Sequence, residues 1–395
     1  MSNENESKKK ILFVIASLKL GGGAERVASI IGTQLYNKKY DIHFLTFYDR
    51  REKYNFKGKY FSLNEKDSSN ILIQSKKLIS RARAIAKYCK KHKIDTSIGF
   101  MEEANFPLVL SKQLFGNKSK IVVSQRVDPS KQNEKYRHLT KFLYNKSNKV
   151  VALSRGVENF LQKSIGVNSK KTTTIYNTIN LENINVLKEE KIPSKYAKIF
   201  TKKNNIFINI GRLEKQKGQK YLIKSFKKLV DYNNNCKLII LGEGKLRNEL
   251  QNLINSLNLQ NNVFLLGNQK NIFPFIQKSD CFIFSSIYEG FGNVLLEALY
   301  LNKPIISTDC NYGPREVLAP SLKIDEVIKY PYYGEFGILF KPFLDKSYIE
   351  EKQLFELMRE IIEKKDLKEQ YSQKGIERVK NFSTENIIKE WERVV

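Results

Sequence analysis

Short apolar runs alternate with longer amphipathic stretches along the whole chain. Runs at 11–17, 42–48, 96–100, 121–124, 150–153 and 173–176 are rich in Ile, Val and Phe with no strict in-and-out alternation, the pattern of parallel strands buried on both faces. Between them, 24–36 and 76–90 place apolar residues at helical spacing. The second half repeats the arrangement, with strands expected at 206–210, 238–241, 263–266, 281–285 and 304–308 and helices near 221–232, 246–257 and 293–301. Such alternation predicts an α/β protein of two doubly wound, Rossmann-like domains. The polar stretch 180–185, ahead of Lys202-Lys203-Asn204-Asn205, reads as the linker. The expected domains are therefore 1–190 and 191–383, followed by a terminal helix, 384–395, that contains Trp391.

Open α/β sheets place ligands at the carboxyl ends of their strands, and the chemically suggestive residues fall there. After the run 281–285 come Glu289, Gly290, Phe291, Gly292, Asn293, Val294 and, eight positions beyond the first carboxylate, Glu297. The two glycines make a tight loop, and Asn293 could cap the helix that follows. The first free N–H groups of such a helix bind phosphate through their donors and partial positive charge. Gly211, Arg212 and Lys217 follow the run 206–210, Gly242-Glu243-Gly244 follows 238–241, and the loop 267–272, with Gly267 and Asn271, follows 263–266. Gly21-Gly22-Gly23 follows the first strand, but a dinucleotide fingerprint would need glycine at position 26, where Arg26 stands. That missing glycine, together with the charged stretch 49–53 after the second strand, argues against an NAD enzyme.

The two glutamates resemble the E-x7-E signature of the retaining GT-B glycosyltransferases of family four, the group that includes bacterial polysaccharide and lipid-linked oligosaccharide transferases. The resemblance extends over nearly the whole chain, through Gly21–Val27, the R-x4-K pair Arg212 and Lys217, Ser307–Leu318 and Tyr333–Leu339. It implies a GT-B fold, two Rossmann-like domains facing across a cleft, with the terminal helix returning to the first domain. It further implies that Arg212 and Lys217 stabilise the departing diphosphate and that Glu289 contacts the donor sugar and Glu297 the ribose. Gly23, Gly211, Gly267, Asn271, Gly290, Phe291, Gly292, Asn293 and Val294 are expected around the donor, and Gly22, Arg26 and Arg126 on the acceptor side. Many relatives carry histidine after the strand that corresponds to 121–124, where this chain has Ser124-Gln125-Arg126. The leaving phosphate oxygen can take the acceptor proton in front-face transfer, so no general base is required.

No D-x-D triplet and no cluster with metal-ligand spacing occurs, so the chemistry is expected to need neither metal nor cofactor. Cys89, Cys236, Cys281 and Cys310 are scattered, which fits buried free thiols in a reduced compartment. No stretch reads as a signal peptide or a membrane span. Charge adds a partner. Residues 1–200 hold 39 Lys+Arg against 17 Asp+Glu, +22, and the remaining 195 hold 30 against 24, +6, which together make the chain's +28. A basic first half suits an anionic membrane surface, and the stretch 76–91 is a candidate face, with Leu78, Ile79, Ala82, Ile85, Ala86 and Cys89 on one side of its wheel and Lys76, Lys77, Arg81, Arg83, Lys87, Lys90 and Lys91 around the rest; the stretch 131–149 is a second, which the resemblance implies could meet a polyprenyl-diphosphate acceptor. The expected enzyme is thus cytoplasmic and peripheral on the inner membrane, and moves a hexose or N-acetylhexosamine from a nucleotide sugar, UDP-linked, to a lipid-linked glycan. A soluble glycan acceptor is the alternative within this class. A nucleic-acid-binding protein is the rival outside it, and it has no recognised module in its favour.

Overall fold

The computed structural model describes residues 8–20, 22–38, 40–66, 71–344 and 347–395. Gly21 and the acidic stretch 1–7 lie outside the described residues. The chain forms two compact units, one of residues 1–178 with Glu385–Val395, the other of Ile179–Thr384.

In the first unit seven parallel strands are ordered β3-β2-β1-β4-β5-β6-β7: β1 Lys10–Ile15, β2 Asp41–Thr46, β3 Lys59–Ser62, β4 Thr96–Phe100, β5 Lys120–Gln125, β6 Lys149–Ala152 and β7 Thr172–Thr174. Its helices are α1 Gly23–Asn37, α2 Ile71–His92, α3 Glu102–Phe115, α4 Glu134–Lys146 and α5 Arg155–Phe160. Phe13 of β1 pairs in register with Phe44 of β2, and their rings stack at 5.1 Å. Val27, Ala28, Ile31 and Leu35 of α1 pack into that cluster, as do Ile387, Ile388 and the fully buried Trp391. The Trp391 ring lies 5.9 Å from Phe100, so the chain's terminal helix completes this core.

The second unit has the order β10-β9-β8-β11-β12-β14-β13: β8 Asn205–Ile210, β9 Cys236–Leu241, β10 Val263–Gly267, β11 Cys281–Phe284, β12 Ile305–Thr308, β13 Tyr332–Tyr333 and β14 Ile338–Phe340. All pairs are parallel except β13 with β14. Its helices are α6 Leu181–Leu187, α7 Gln219–Tyr232, α8 Arg247–Ser256, α9 Phe273–Gln277, α10 Asn293–Tyr300, α11 Pro314–Leu318, α12 Tyr348–Glu363 and α13 Lys365–Lys380; α14, Thr384–Glu392, carries Trp391. Leu222, Phe226 and Leu229 of α7 and Leu354, Leu357 and Met358 of α12 share one core with Phe207, Leu238 and Ile283. In each sheet the strand order reverses beside the first strand, between β1 and β4 and between β8 and β11. Ligands of open sheets bind outside such switch points.

Some details differ from the expectations. The stretch 180–185 is helical: Asn180 accepts a hydrogen bond from the Asn183 N–H and starts α6, just after the two compact units divide at Thr178/Ile179, where the sequence suggested 190/191. In α2, Arg81 is not on the outer basic face but 6% exposed, donating to both Glu65 oxygens and to Glu103, over the Phe47 ring at 4.0 Å. Ile79 takes the outward position instead, 41% exposed, among Lys76, Arg83, Lys87, Lys90 and Lys91.

Candidate active site

The second unit's switch point is built from two loops tied to each other by backbone and hydroxyl hydrogen bonds. After β8 the chain turns through Gly211 to a short 3-10 turn, Lys215–Lys217, and Gly218 starts α7 at φ +65°. A Cβ on Gly218 would lie 2.1 Å from the Ser285 carbonyl oxygen, so only glycine lets the β8 loop approach the end of β11. There Ser285 Oγ donates to the Lys217 carbonyl at 2.7 Å, the Ile287 N–H to the Gln216 carbonyl at 2.8 Å, and Gln216 Nε2 to the Tyr288 carbonyl at 2.9 Å. On the other side the Tyr312 N–H donates to the Glu289 carbonyl at 2.7 Å, and the Glu289 N–H donates to the Asn311 carbonyl.

These ties bring Lys217 Nζ onto Glu289 Oε1, which also accepts from Ser286 Oγ at 2.8 Å. Their side chains are 17% and 10% exposed. The aliphatic stem of Lys217 passes over Gly211, where an added Cβ would stand 3.1 Å from it. Arg212 is not brought to this pair: its side chain is 64% exposed and its Nη1 donates to Glu214 at 3.1 Å. An exposed pair contributes about 0–1 kcal/mol, so Arg212 can leave Glu214 at little cost.

Beyond Glu289, Gly290 and the buried Phe291 lead to Gly292, which caps α10 at φ +88°. Asn293 is therefore the first helical residue and not the cap expected from the sequence, because the turn needs a left-handed residue there. Val294 follows it, and Glu297 lies one turn further on, 4% exposed among Leu296 and Ala298. At the end of β10, Gly267 has φ +72°, while Asn271 uses its amide internally, donating to the Leu187 carbonyl and to Glu190.

In the first unit Gly22 caps α1, and Glu25 folds back over it, its carboxyl raised by burial against the weaker pull of its own backbone N–H. Gly23 has open space where a side chain would stand, and Arg26 is half-buried. Arg126, at the end of β5, is 7% exposed. Cys89, Cys236, Cys281 and Cys310 are buried free thiols, and burial pushes Cys310, two residues from the end of β12, up in pKa. No group of three or more His, Cys, Asp or Glu among the described residues is placed to hold a metal.

Comparison with known proteins gives this architecture a class. Residues 192–378 match the family described as Glycosyl transferases group 1, and residues 21–183 that described as Glycosyltransferase Family 4. Anabaena HepE, solved in complex with UDP-glucose, superposes with a TM-score of 0.75 at 20% identity, over 98% of this chain and 100% of its own. The fold is thus that of the GT-B glycosyltransferases. An uncharacterized glycosyltransferase of Methanocaldococcus jannaschii is 40% identical over 92% of this chain and 94% of its own length. The N-acetylgalactosamine-N,N'-diacetylbacillosaminyl-diphospho-undecaprenol 4-alpha-N-acetylgalactosaminyltransferase of Campylobacter jejuni is 30% identical over 93% and 94%. This chain belongs to the group 1 glycosyltransferases, and it is an enzyme of that class.

Proposed function

We propose that this chain is a retaining, metal-independent hexosyltransferase that moves a hexose or N-acetylhexosamine from a UDP sugar to a lipid-linked glycan in surface polysaccharide or glycoconjugate synthesis. The observation that carries the reading is the Lys217–Glu289 pair, seated at the switch point with the N-terminus of α10 four residues on. As the bond between the anomeric carbon and the β-phosphate oxygen breaks, the electron pair goes to that oxygen. A fixed ammonium and aligned N–H groups stabilise this charge more in the transition state than in the ground state. They also supply positive charge that a metal would otherwise bring. Glu289 accepts from donor-sugar hydroxyls and Glu297 from the ribose, while Arg212 swings from Glu214 to the phosphates. The acceptor oxygen bonds the anomeric carbon on the face the phosphate leaves, and its proton passes to the leaving oxygen.

The UDP donor is supported by the UDP-glucose bound to HepE, and the lipid-linked acceptor by the Campylobacter relative's diphospho-undecaprenol substrate. A peripheral site at the cytoplasmic face of a membrane is supported by the outward residues Lys76, Arg83, Lys87, Lys90 and Lys91 of α2 and by Lys135, Tyr136, Lys141, Phe142 and Lys146 of α4. A panel of UDP- and GDP-sugars, incubated with a lipid-linked glycan, tests the reading. Transfer from an α-linked UDP sugar that yields an α-linked product is expected; a β-linked product would contradict retention, and turnover from GDP-sugars alone would contradict the donor.

A further inference from the structure

Among the described residues, Arg126 is a buried cation whose hydrogen-bond partners are all neutral. At the carboxyl end of β5 its Nε donates to Ser124 Oγ at 2.7 Å and its Nη1 to Asn177 Oδ1 at 2.9 Å and the Ile175 carbonyl at 3.3 Å. The guanidinium carbon lies 5.6 Å from the Phe100 ring centre and 5.4 Å from that of Trp391, so aromatic faces hold the plane. Nη2 is buried and has no acceptor among the described residues. Two positions on, Asp128 is 8% exposed; its Oδ1 accepts from the Ser130 N–H at 2.8 Å, and its buried Oδ2 has no donor among the described residues. Two complementary groups on one loop are thus left unsatisfied without satisfying each other. A buried charge without a counter-charge weakens a fold, and such a group persists where function needs it. The adjoining strand end is strained as well: Met101, whose N–H donates to the Ser124 carbonyl, has φ +70° and ψ 160°, a region almost confined to glycine.

We propose that Arg126 and Asp128 form a receptor on the first unit for a phosphorylated sugar, in which Nη2 takes a phosphate oxygen and Oδ2 accepts from a neighbouring sugar hydroxyl. The inference rests on the reading above that the acceptor glycan is linked through phosphate. With Nε and Nη1 already engaged, the two-pronged grip that suits a carboxylate is not on offer, and the single free nitrogen suits one oxygen of a phosphate. Nη2 is enclosed, so the anion reaches it only as the chain around it shifts. Trp391 acts here as a positioning residue, since it holds the guanidinium plane from the terminal helix.

The test uses the full chain saturated with UDP, so that the donor's phosphate site is filled, and N-acetylglucosamine 1-phosphate as the probe, with N-acetylglucosamine and glucuronate as its neutral and carboxylate controls. Calorimetry should show the phosphate probe binding wild type, and about tenfold or more weaker binding to Arg126→Met and Arg126→Lys, because one charge-assisted contact is lost or misplaced. Neither control should compete. Without probe, Arg126→Met loses an uncompensated buried charge but also leaves Ser124 Oγ, Asn177 Oδ1 and the Ile175 carbonyl without their donor, so it should stay folded with a melting temperature near that of wild type. Failure of both variants to fold would mark Arg126 as structural and overturn the proposal. So would no binding to wild type, undiminished binding to the variants, or equal binding of either control. Failure of UDP to bind wild type would instead count against the donor reading and leave the receptor to be judged by the probe alone.

Discussion

Lys217 and Glu289 leave most of their hydration behind to meet at one site, and the protein holds both ends of the pair through backbone. Glu289 is bracketed by Asn311 and Tyr312, and the Lys217 carbonyl is held by Ser285. Replacing Glu289 by Gln keeps the shape and removes the charge, so kcat should fall by about tenfold or more while the chain stays folded. Arg212→Ala should lower kcat too, with a melting temperature close to wild type, because an exposed pair with Glu214 adds little stability. Steady-state kinetics beside thermal melts checks both. Glu297→Ala should raise the donor KM; a pure kcat defect would remove its assignment to the ribose. At this scale the sequence exposed the charged residues, since Arg212, Lys217, Glu289 and Glu297 stand at fixed spacings around strand ends. It hid their supports. Ser285, Ser286 and Gln216 act through local geometry that no spacing encodes, and Asp128 was passed over because a lone aspartate before proline reads as a turn.

Glycines set the positions of whole elements at the site. A side chain on Gly218 would collide with the Ser285 carbonyl, and one on Gly313, at φ +105°, would stand 2.0 Å from the Phe291 carbonyl. Gly218→Ala should therefore destabilise the protein by more than about 1 kcal/mol, read from its urea midpoint, and lower activity by separating Lys217 from β11. In the first unit β2 and α2 meet through His43, whose Nδ1 is 2.9 Å from Tyr88 Oη and whose ring lies 5.4 Å from His92. Burial holds His43 below the usual histidine range, against the upward pull of Asp41. An unfolded chain thus takes up that proton at a higher pH than the folded one, and stability should fall as pH drops through about 6.5 toward the folded value. His43→Gln should flatten that slope in urea titrations from pH 8 to 5; an unchanged slope would assign it to other groups. Periodicity located the buried strands because they are uninterrupted apolar runs. It missed β3, an edge strand with only partial burial, and α3, which holds Pro107, and it placed Arg81 on the wrong face because Glu65 and Glu103 are distant in sequence.

Over the whole molecule, two doubly wound units were legible from strand–helix alternation, whereas the division at Thr178 was not, since α6 has only 7 residues, too few for a helical period to show. The terminal helix was placed only by resemblance; its role in the first core depends on Trp391 meeting Phe100, a contact far apart in sequence. No helix among the described residues is long and apolar enough to cross a membrane. The basic face of α2 should then hold the protein on vesicles containing acidic lipid, with release as salt shortens the screening length below about 8 Å. Glu substitutions at Lys76, Arg83, Lys87 and Lys90 should abolish flotation, and Arg81 is left out because its substitution would break a buried network. Equal flotation of this variant would remove α2 as the docking face. The central claim is that Lys217 and Glu289 together drive sugar transfer from a UDP donor to a lipid-linked glycan. The most direct measurement is the mass of that glycan after incubation in EDTA with the UDP sugar and with wild type, Lys217→Met or Glu289→Gln. A gain of one hexose or N-acetylhexosamine with wild type, and about tenfold less or none with either variant, is the predicted result. An unshifted mass with wild type, or equal elongation by the variants, would contradict it.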